Sequence, residues 1–164
     1  MVKIGLMSDT HGYINPKVFD HFKEVDEIWH AGDIGSLEVI DELRKFKPTR
    51  FVYGNIDNAE IQKECPENNL FEVEDLKVLM THIAGRPGRY PARVNKLIRE
   101  NKPDIFVCGH SHILLVQKAN SDLLHLNPGA AGKHGFHSVS TLLRFNLAEG
   151  KISNMEVIEL EKRK

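Results

Sequence analysis

The segment "EIWHAGDIGSLEVIDELRKF", residues 27–46, contains one complete unit of the fold. "EIWHA" (27–31) reads as a short strand. "GDIG" reads as a turn, because Gly and Asp tolerate tight backbone. From Ser36 the apolar spacing becomes helical. Leu37, Ile40 and Leu43 share a face with the neighbouring Val39, and Ser36 stands as the N-cap of a helix over 36–46. A strand, a polar turn and a helix in twenty residues point to an α/β protein.

The same pattern extends in both directions. Upstream, "VKIGLM" (2–7) is a strand and "DTHGYINP" a turn. Pro16 then opens a helix to about Val25, with Val18, Phe19 and Phe22 on one face. Downstream, "RFVYG" (50–54) is a third strand, followed by a polar loop. "LFEVE" (70–74) and "KVLMTH" (77–82) flank Asp75 and Leu76 as a hairpin. "PARVNKLIREN" (91–101) is a helix and "DIFVCG" (104–109) a strand. Strands then follow at 113–118, 123–127, 138–147 and 151–160, and "EKRK" reads as a solvated tail. Strand–helix alternation first and hairpins later predict a layered α-β-β-α sandwich: two mixed β-sheets flanked by helices, in a single domain over 1–164.

Composition narrows the function. The 164 residues are 41% hydrophobic and 27% charged, with a formal net charge of -1. No broad basic surface for nucleic acid is indicated. No apolar run approaches the ~20 residues that span a bilayer, so no membrane partner is expected. The opening "MVKIGLMSD" is too short for a signal-peptide core. The spacing of Cys65 and Cys108 fits neither a metal knuckle nor a disulfide framework, so a cytoplasmic setting is expected. The apolar face of the C-terminal strands leaves a homo-oligomer open.

Polar residues of one chemical kind follow five strands. Asp9 and His11 follow the first, Asp33 the second, and Asn55 and Asp57 the third. His82 ends "KVLMTH", and His110 and His112 follow "DIFVCG". In α/β sheets, ligands gather at the carboxyl ends of strands. Oxygen and imidazole donors without thiolate suit Mn, Fe, Zn, Co or Ni. Seven donors (Asp9, His11, Asp33, Asn55, His82, His110 and His112) exceed one ion's needs but suit two ions sharing a carboxylate. Such a pair activates water and clamps the oxygens of an in-line displacement, the chemistry of phosphate-ester hydrolysis.

In that order, "SDTHG", "AGDIG", "YGNID", "MTH" and "CGHSH" resemble the five signature blocks of the calcineurin-like metallophosphoesterases. The short length and the later "NPGAAG" resemble their small bacterial and archaeal phosphodiesterase branch. The resemblance implies a metallophosphoesterase fold and a phosphoesterase, most simply a phosphodiesterase, acting on a small phosphate ester. It implies that Asp9, His11 and His112 bind one divalent ion and Asn55, His82 and His110 a second, with Asp33 bridging. Mn is the first expectation for the pair, and a hydroxide bridging the two ions attacks phosphorus. Asp33, Asn55 and His82 count on this basis among the catalytic residues.

Two departures stand out. Larger members of the family carry a proton-donating histidine directly after the block-three asparagine; here it is Ile56, which cannot donate. Asp57 or a metal-bound water is left as the acid, and good leaving groups are favoured. After His82 the chain reads "IAGRPGRY", where relatives often carry a second histidine. Arg86 and Arg89 in that loop are expected to contact a substrate phosphate. The same fold also serves elsewhere as a protein-interaction scaffold, and a non-catalytic, metal-binding scaffold of that kind is the alternative reading. Of the remaining polar residues, His30 is expected to be packed, His134 and His137 to lie in a solvated loop, and Arg93, Lys96 and Arg99 to form a solvated helix face.

Overall fold

The computed structural model describes residues 1–163. Strands β1 (Val2–Met7), β2 (Glu27–His30) and β3 (Thr49–Phe51) run parallel. β9 (Val139–Ala148) lies antiparallel beside β1, and β10 (Lys151–Lys162) beside β9, giving the sheet order β10-β9-β1-β2-β3. The second sheet has the order β4-β5-β6-β8-β7. Its parallel centre is β5 (Leu76–Thr81), β6 (Ile105–Val107) and β8 (Leu124–Pro128). β4 (Asn68–Val73) and β7 (Leu114–Lys118) are its antiparallel edges.

Alternation along the strands builds the layers. On β1, Ile4 and Leu6 face the second sheet, in a cluster with Trp29, Val78, Met80, Val107 and Phe145. The Trp29 ring meets Phe71 of β4 edge-on at 5.1 Å, which ties the two sheets together, and Phe145 of its own sheet at 5.6 Å. Gly5 and Met7 face the other way. A Cβ on Gly5 would come within 2.8 Å of the Phe22 ring, so glycine is what lets α1 (Lys17–His21) seat against β1. α1, α2 (Leu37–Phe46) and α3 (Ala59–Glu64) cover the first sheet through Val18, Val39, Ile40, Leu43 and Ile61. α4 (Ala92–Asn101) covers the second through Val94, with Leu97 and Ile98 half-buried. The layers are α-β-β-α, with two mixed sheets, as the sequence predicts.

Ser36 caps α2, its side chain accepting the Val39 N–H. Three local expectations need correction. α1 stops at His21 rather than near Val25, because Phe22 leaves the helix to pack under β1. The polar loop after β3 contains α3, capped by Asn58, whose Oδ1 accepts the Ile61 N–H at 3.1 Å. Residues 161–163 of "EKRK" are exposed as expected but are tied to the sheet rather than trailing from it. β10 runs to Lys162, and Arg163 binds back to the Ser138, Gly135 and His137 carbonyls; Lys164 lies outside the described residues. No helix among the described residues is long and apolar enough to cross a membrane.

Candidate metal centre

The carboxyl ends of β1, β2, β3, β5 and β6 share one edge of the sandwich. Main-chain bonds hold their loops together beyond the strands. Asp9 N–H donates to the Gly32 carbonyl at 2.9 Å, His11 N–H to Asp33 at 3.0 Å and Gly109 N–H to His82 at 3.0 Å. Two triads of donor atoms result: Asp9, His11 and His112, and beside them Asp33, His82 and His110. Each triad draws on both sheets. Asp9, His11 and Asp33 follow strands of the first; His82, His110 and His112 follow strands of the second. Asn55 joins the second triad, its Oδ1 lying 3.0 Å from His110 Nδ1.

The neighbours of each donor leave one atom free. Asp9 Oδ2 accepts the Ser8 hydroxyl at 2.6 Å and the His110 N–H at 3.1 Å, freeing Oδ1. Asp33 Oδ1 accepts the Ile56 N–H at 3.1 Å, freeing Oδ2. His82 Nδ1 donates to the Ala31 carbonyl at 2.7 Å, which fixes the tautomer that presents Nε2 as a lone pair. Asp33 Oδ2 stands 3.4 Å from His11 Nε2 and 3.2 Å from His82 Nε2, between the two triads. Asp9 Oδ1 stands 3.2 Å from His112 Nε2 and 4.0 Å from His11 Nε2.

The buried atoms Asp9 Oδ1, His11 Nε2 and His82 Nε2 have no hydrogen-bond partner among the described residues. Buried polar atoms are rarely left so. Donors held about 2.0–2.2 Å from one ion lie roughly 3–4 Å from each other, which is the spacing seen here. The residues therefore fit a pair of divalent ions.

The electrostatics are mutual. Burial pushes the Asp33 carboxyl up, but His82, the Ile56 N–H and His11 outweigh it and hold the group below the ordinary carboxylate value. Burial pushes His82 down, but Asp33, Asp9 and the Ala31 carbonyl outweigh it and hold it above the ordinary imidazole value. At His11 burial prevails over both carboxylates, and the ring is lowered.

The backbone is unusual at these positions. Asp9, His11, Asp33, His110 and His112 have φ between 48° and 68°, the left-handed region. That region disfavours residues with a Cβ, and such residues cluster at functional sites. Close packing leaves the loops no slack: a Cβ on Gly54 would lie 2.1 Å from Asp33 Oδ1.

Some site residues sit differently from the sequence reading. Asp57 is buried, and its carboxylate accepts the N–H groups of Ile34, Gly35 and Gly54 at 3.1, 2.8 and 2.7 Å. Both oxygens are taken up in fastening the Asp33 and Asn55 loops. Arg86 and Arg89 line a cleft of about 510 Å³ with Ser111, Ile113 and Asn127, adjoining the triads. His30 is packed as expected, against the Thr10 hydroxyl at 3.0 Å.

His134 is exposed, as a solvated loop implies, and His137 is half-buried, yet both rings meet donor residues. The His134 ring stacks on His11 at 4.7 Å, His137 meets His112 edge-on at 5.1 Å, and both line the cleft over the triads. Arg93, Lys96 and Arg99 are exposed as expected, but Arg93 also makes specific bonds. It bonds to Asn68 Oδ1 at 3.1 Å and the Ile83 carbonyl at 2.9 Å, joining α4 to the end of β5. Asn127 was missed as a brace, although "NPGAAG" contains it. Its amide donates to the Gly109 carbonyl at 3.1 Å and Ser111 Oγ at 3.0 Å, shaping the turn that carries His110 and His112.

The family model for the calcineurin-like phosphoesterase superfamily domain matches residues 2–150. A probable metallophosphoesterase of Methanothermobacter thermautotrophicus is 34% identical over 132 residues, covering 77% of this chain and 76% of the relative. Phosphodiesterase MJ0936 of Methanocaldococcus jannaschii is 30% identical over 144 residues, covering 78% and 83%. Among solved structures, an archaeal phosphodiesterase superposes with a TM-score of 0.75 at 25% identity, over 96% of this chain and 99% of the other. Vps29 of Entamoeba histolytica, complexed with zinc, superposes with a TM-score of 0.73 at 17% identity, over 96% and 98%, a likeness of fold.

Proposed function

The chain belongs to the calcineurin-like phosphoesterase superfamily, and we propose that within it the protein is a dinuclear metal-dependent phosphodiesterase. The observation that carries this reading is the pair of donor triads meeting at Asp33. Asp9, His11 and His112 would hold one divalent ion, and Asn55, His82 and His110 the other, with Asp33 shared. Two such ions supply Lewis acidity and an acidified water for in-line attack on phosphorus. Mn is the first ion to test, with Fe, Zn, Co or Ni as the others, since oxygen and imidazole donors suit them all.

The chain's own residues prepare that chemistry. Ala31 orients His82; Ser8 and the His110 amide orient Asp9; Asp57 fixes the loops of Asp33 and Asn55. Burial of Asp9, Asp33 and His82 strengthens their field by excluding water. Ile56 offers no proton to a departing alkoxide, so the reading favours aryl and other good leaving groups. Arg86 and Arg89 are assigned to a non-reacting anionic oxygen of the substrate. Both cysteines are free and buried, in keeping with a reducing cytoplasm. A competent residue at each of the seven donor positions favours catalysis over a scaffold role.

The test is metal analysis joined to hydrolysis of bis(p-nitrophenyl) phosphate and p-nitrophenyl phosphate, with and without Mn. The expected result is about two equivalents of metal, faster turnover of the diester, and loss of activity in Asp33→Ala. A metal-loaded wild type that hydrolyses neither ester would refute the proposal. Activity surviving in Asp33→Ala would remove the shared carboxylate from it.

A further inference from the structure

Four of the donor residues are each followed directly by isoleucine: Asp33–Ile34, Asn55–Ile56, His82–Ile83 and His112–Ile113. Ile34 is buried, the other three are 45%, 40% and 67% exposed, and Phe136, between His134 and His137, is fully exposed. Tight polar turns favour Gly, Asn, Asp and Ser, so aliphatic side chains there call for a reason. Ile56, Ile113 and Phe136 line the same cleft of about 490 Å³ as His11, Asp33 and His112. Ile83 stands on an adjoining cleft of about 370 Å³ that contains Asn55 and His82. Single exposed apolar residues are ordinary, but several around one opening form a patch.

Main-chain bonds hold this rim in place. The Ile56 N–H donates to Asp33 Oδ1 at 3.1 Å and the Ile113 N–H to Ser111 Oγ at 3.1 Å. The cleft therefore has polar donors on its floor and apolar side chains at its mouth. Its volume is that of a small-molecule site. We infer that one ester arm of the substrate is apolar, aliphatic or aryl, and seats on Ile56, Ile113 and Phe136 while its phosphate lies at the triads. The inference rests on the phosphodiesterase reading and adds the chemical class of the arm. The occupant is an ester arm, not a protein surface, because the apolar rim and the donors share one concave cleft.

The experiment uses the metal-loaded chain and p-nitrophenyl alkyl phosphates with methyl to pentyl arms, so that the leaving group stays constant. A methylene fully removed from water favours binding about fourfold, and one half removed about twofold. The expected kcat/KM thus rises roughly fifteenfold from methyl to pentyl. In the double variant Ile113→Ser with Phe136→Ser the rise shrinks to within about threefold, and Ile56→Ser moves it the same way. Val157→Ser, an equally exposed apolar position on β10, keeps the full rise. A wild type with one rate for all arms overturns the inference alone, as does a double variant that keeps the rise or a Val157→Ser that loses it. Turnover of no ester in the series overturns the phosphodiesterase reading and this inference with it.

Discussion

Replacing His112 by glycine should give a more stable chain than replacing it by alanine, although both remove the same imidazole. The reason is the backbone: φ at His112 is 62°. Left-handed backbone costs a residue with a Cβ about 1–2 kcal/mol. Glycine avoids that but loses about 0.5–1 kcal/mol more conformational freedom on folding. The difference favours glycine by roughly 0.5–1 kcal/mol. His82 is the control, because it directly follows β5 and is not among the left-handed residues. There alanine should be better by about 0.5–1 kcal/mol. The two positions thus differ in sign, with a swing of roughly 1–2 kcal/mol. At about 2–4 °C per kcal/mol for a chain of this size, the swing is roughly 2–8 °C. The assay is thermal and urea unfolding of chelator-stripped protein, wild type and four variants. Metal analysis after reconstitution should find both His112 variants about one equivalent short. Alanine equal to or better than glycine at 112, or the same order at both positions, would show that the left-handed turn is not imposed by the fold.

Asp57→Ala leaves three N–H groups without their acceptor, those of Ile34 and Gly54 buried, and should cost about 2–4 kcal/mol, a fall of several degrees in Tm; a Tm within 2 °C of wild type would contradict its fastening role. Burial holds His30 and His125 at about 4 in place of 6.5. The unfolded chain then binds more protons between those values, so stability is complete above about pH 6.5 and falls as the pH drops towards 4, by up to about 3 kcal/mol per histidine. Urea midpoints of stripped protein from pH 7.5 to 4.5 should follow that slope, and His125→Asn should flatten it; an unchanged slope in that variant would reject the assignment. Arg86→Ala and Arg89→Ala should raise KM with little change in kcat, and unchanged KM in both would end their role as anion contacts.

The layers were legible because short apolar runs alternate with stretches of helical apolar spacing, as at 27–31 and 36–46. α3 was not, since its six residues bury one side chain, Ile61, which sets no period. The donors were legible from residue type at strand ends. Their left-handed backbone was not, because Asp and His carry no sign of it as glycine would. His134 and His137 escaped because distant pairings bring their loop to the site. Ala131 N–H bonds to the Ser8 carbonyl, Gly132 N–H to Asp9, and Arg163 clasps the far side. Arg93 escaped for the same reason: its partner Asn68 lies twenty-five residues away.

Each donor triad takes residues from both sheets, so an ion held by either one would be a rivet between the layers. At the opposite edge the layers are already fastened by the chain itself, through the Gly150 N–H on the Glu74 carbonyl at 2.8 Å. Stripping metal should therefore loosen the sandwich like a hinged book, at one edge only. Amide exchange would quicken together in the loops after β1, β2, β5 and β6, while the hairpin turns at Glu74 and Gly150 keep their protection.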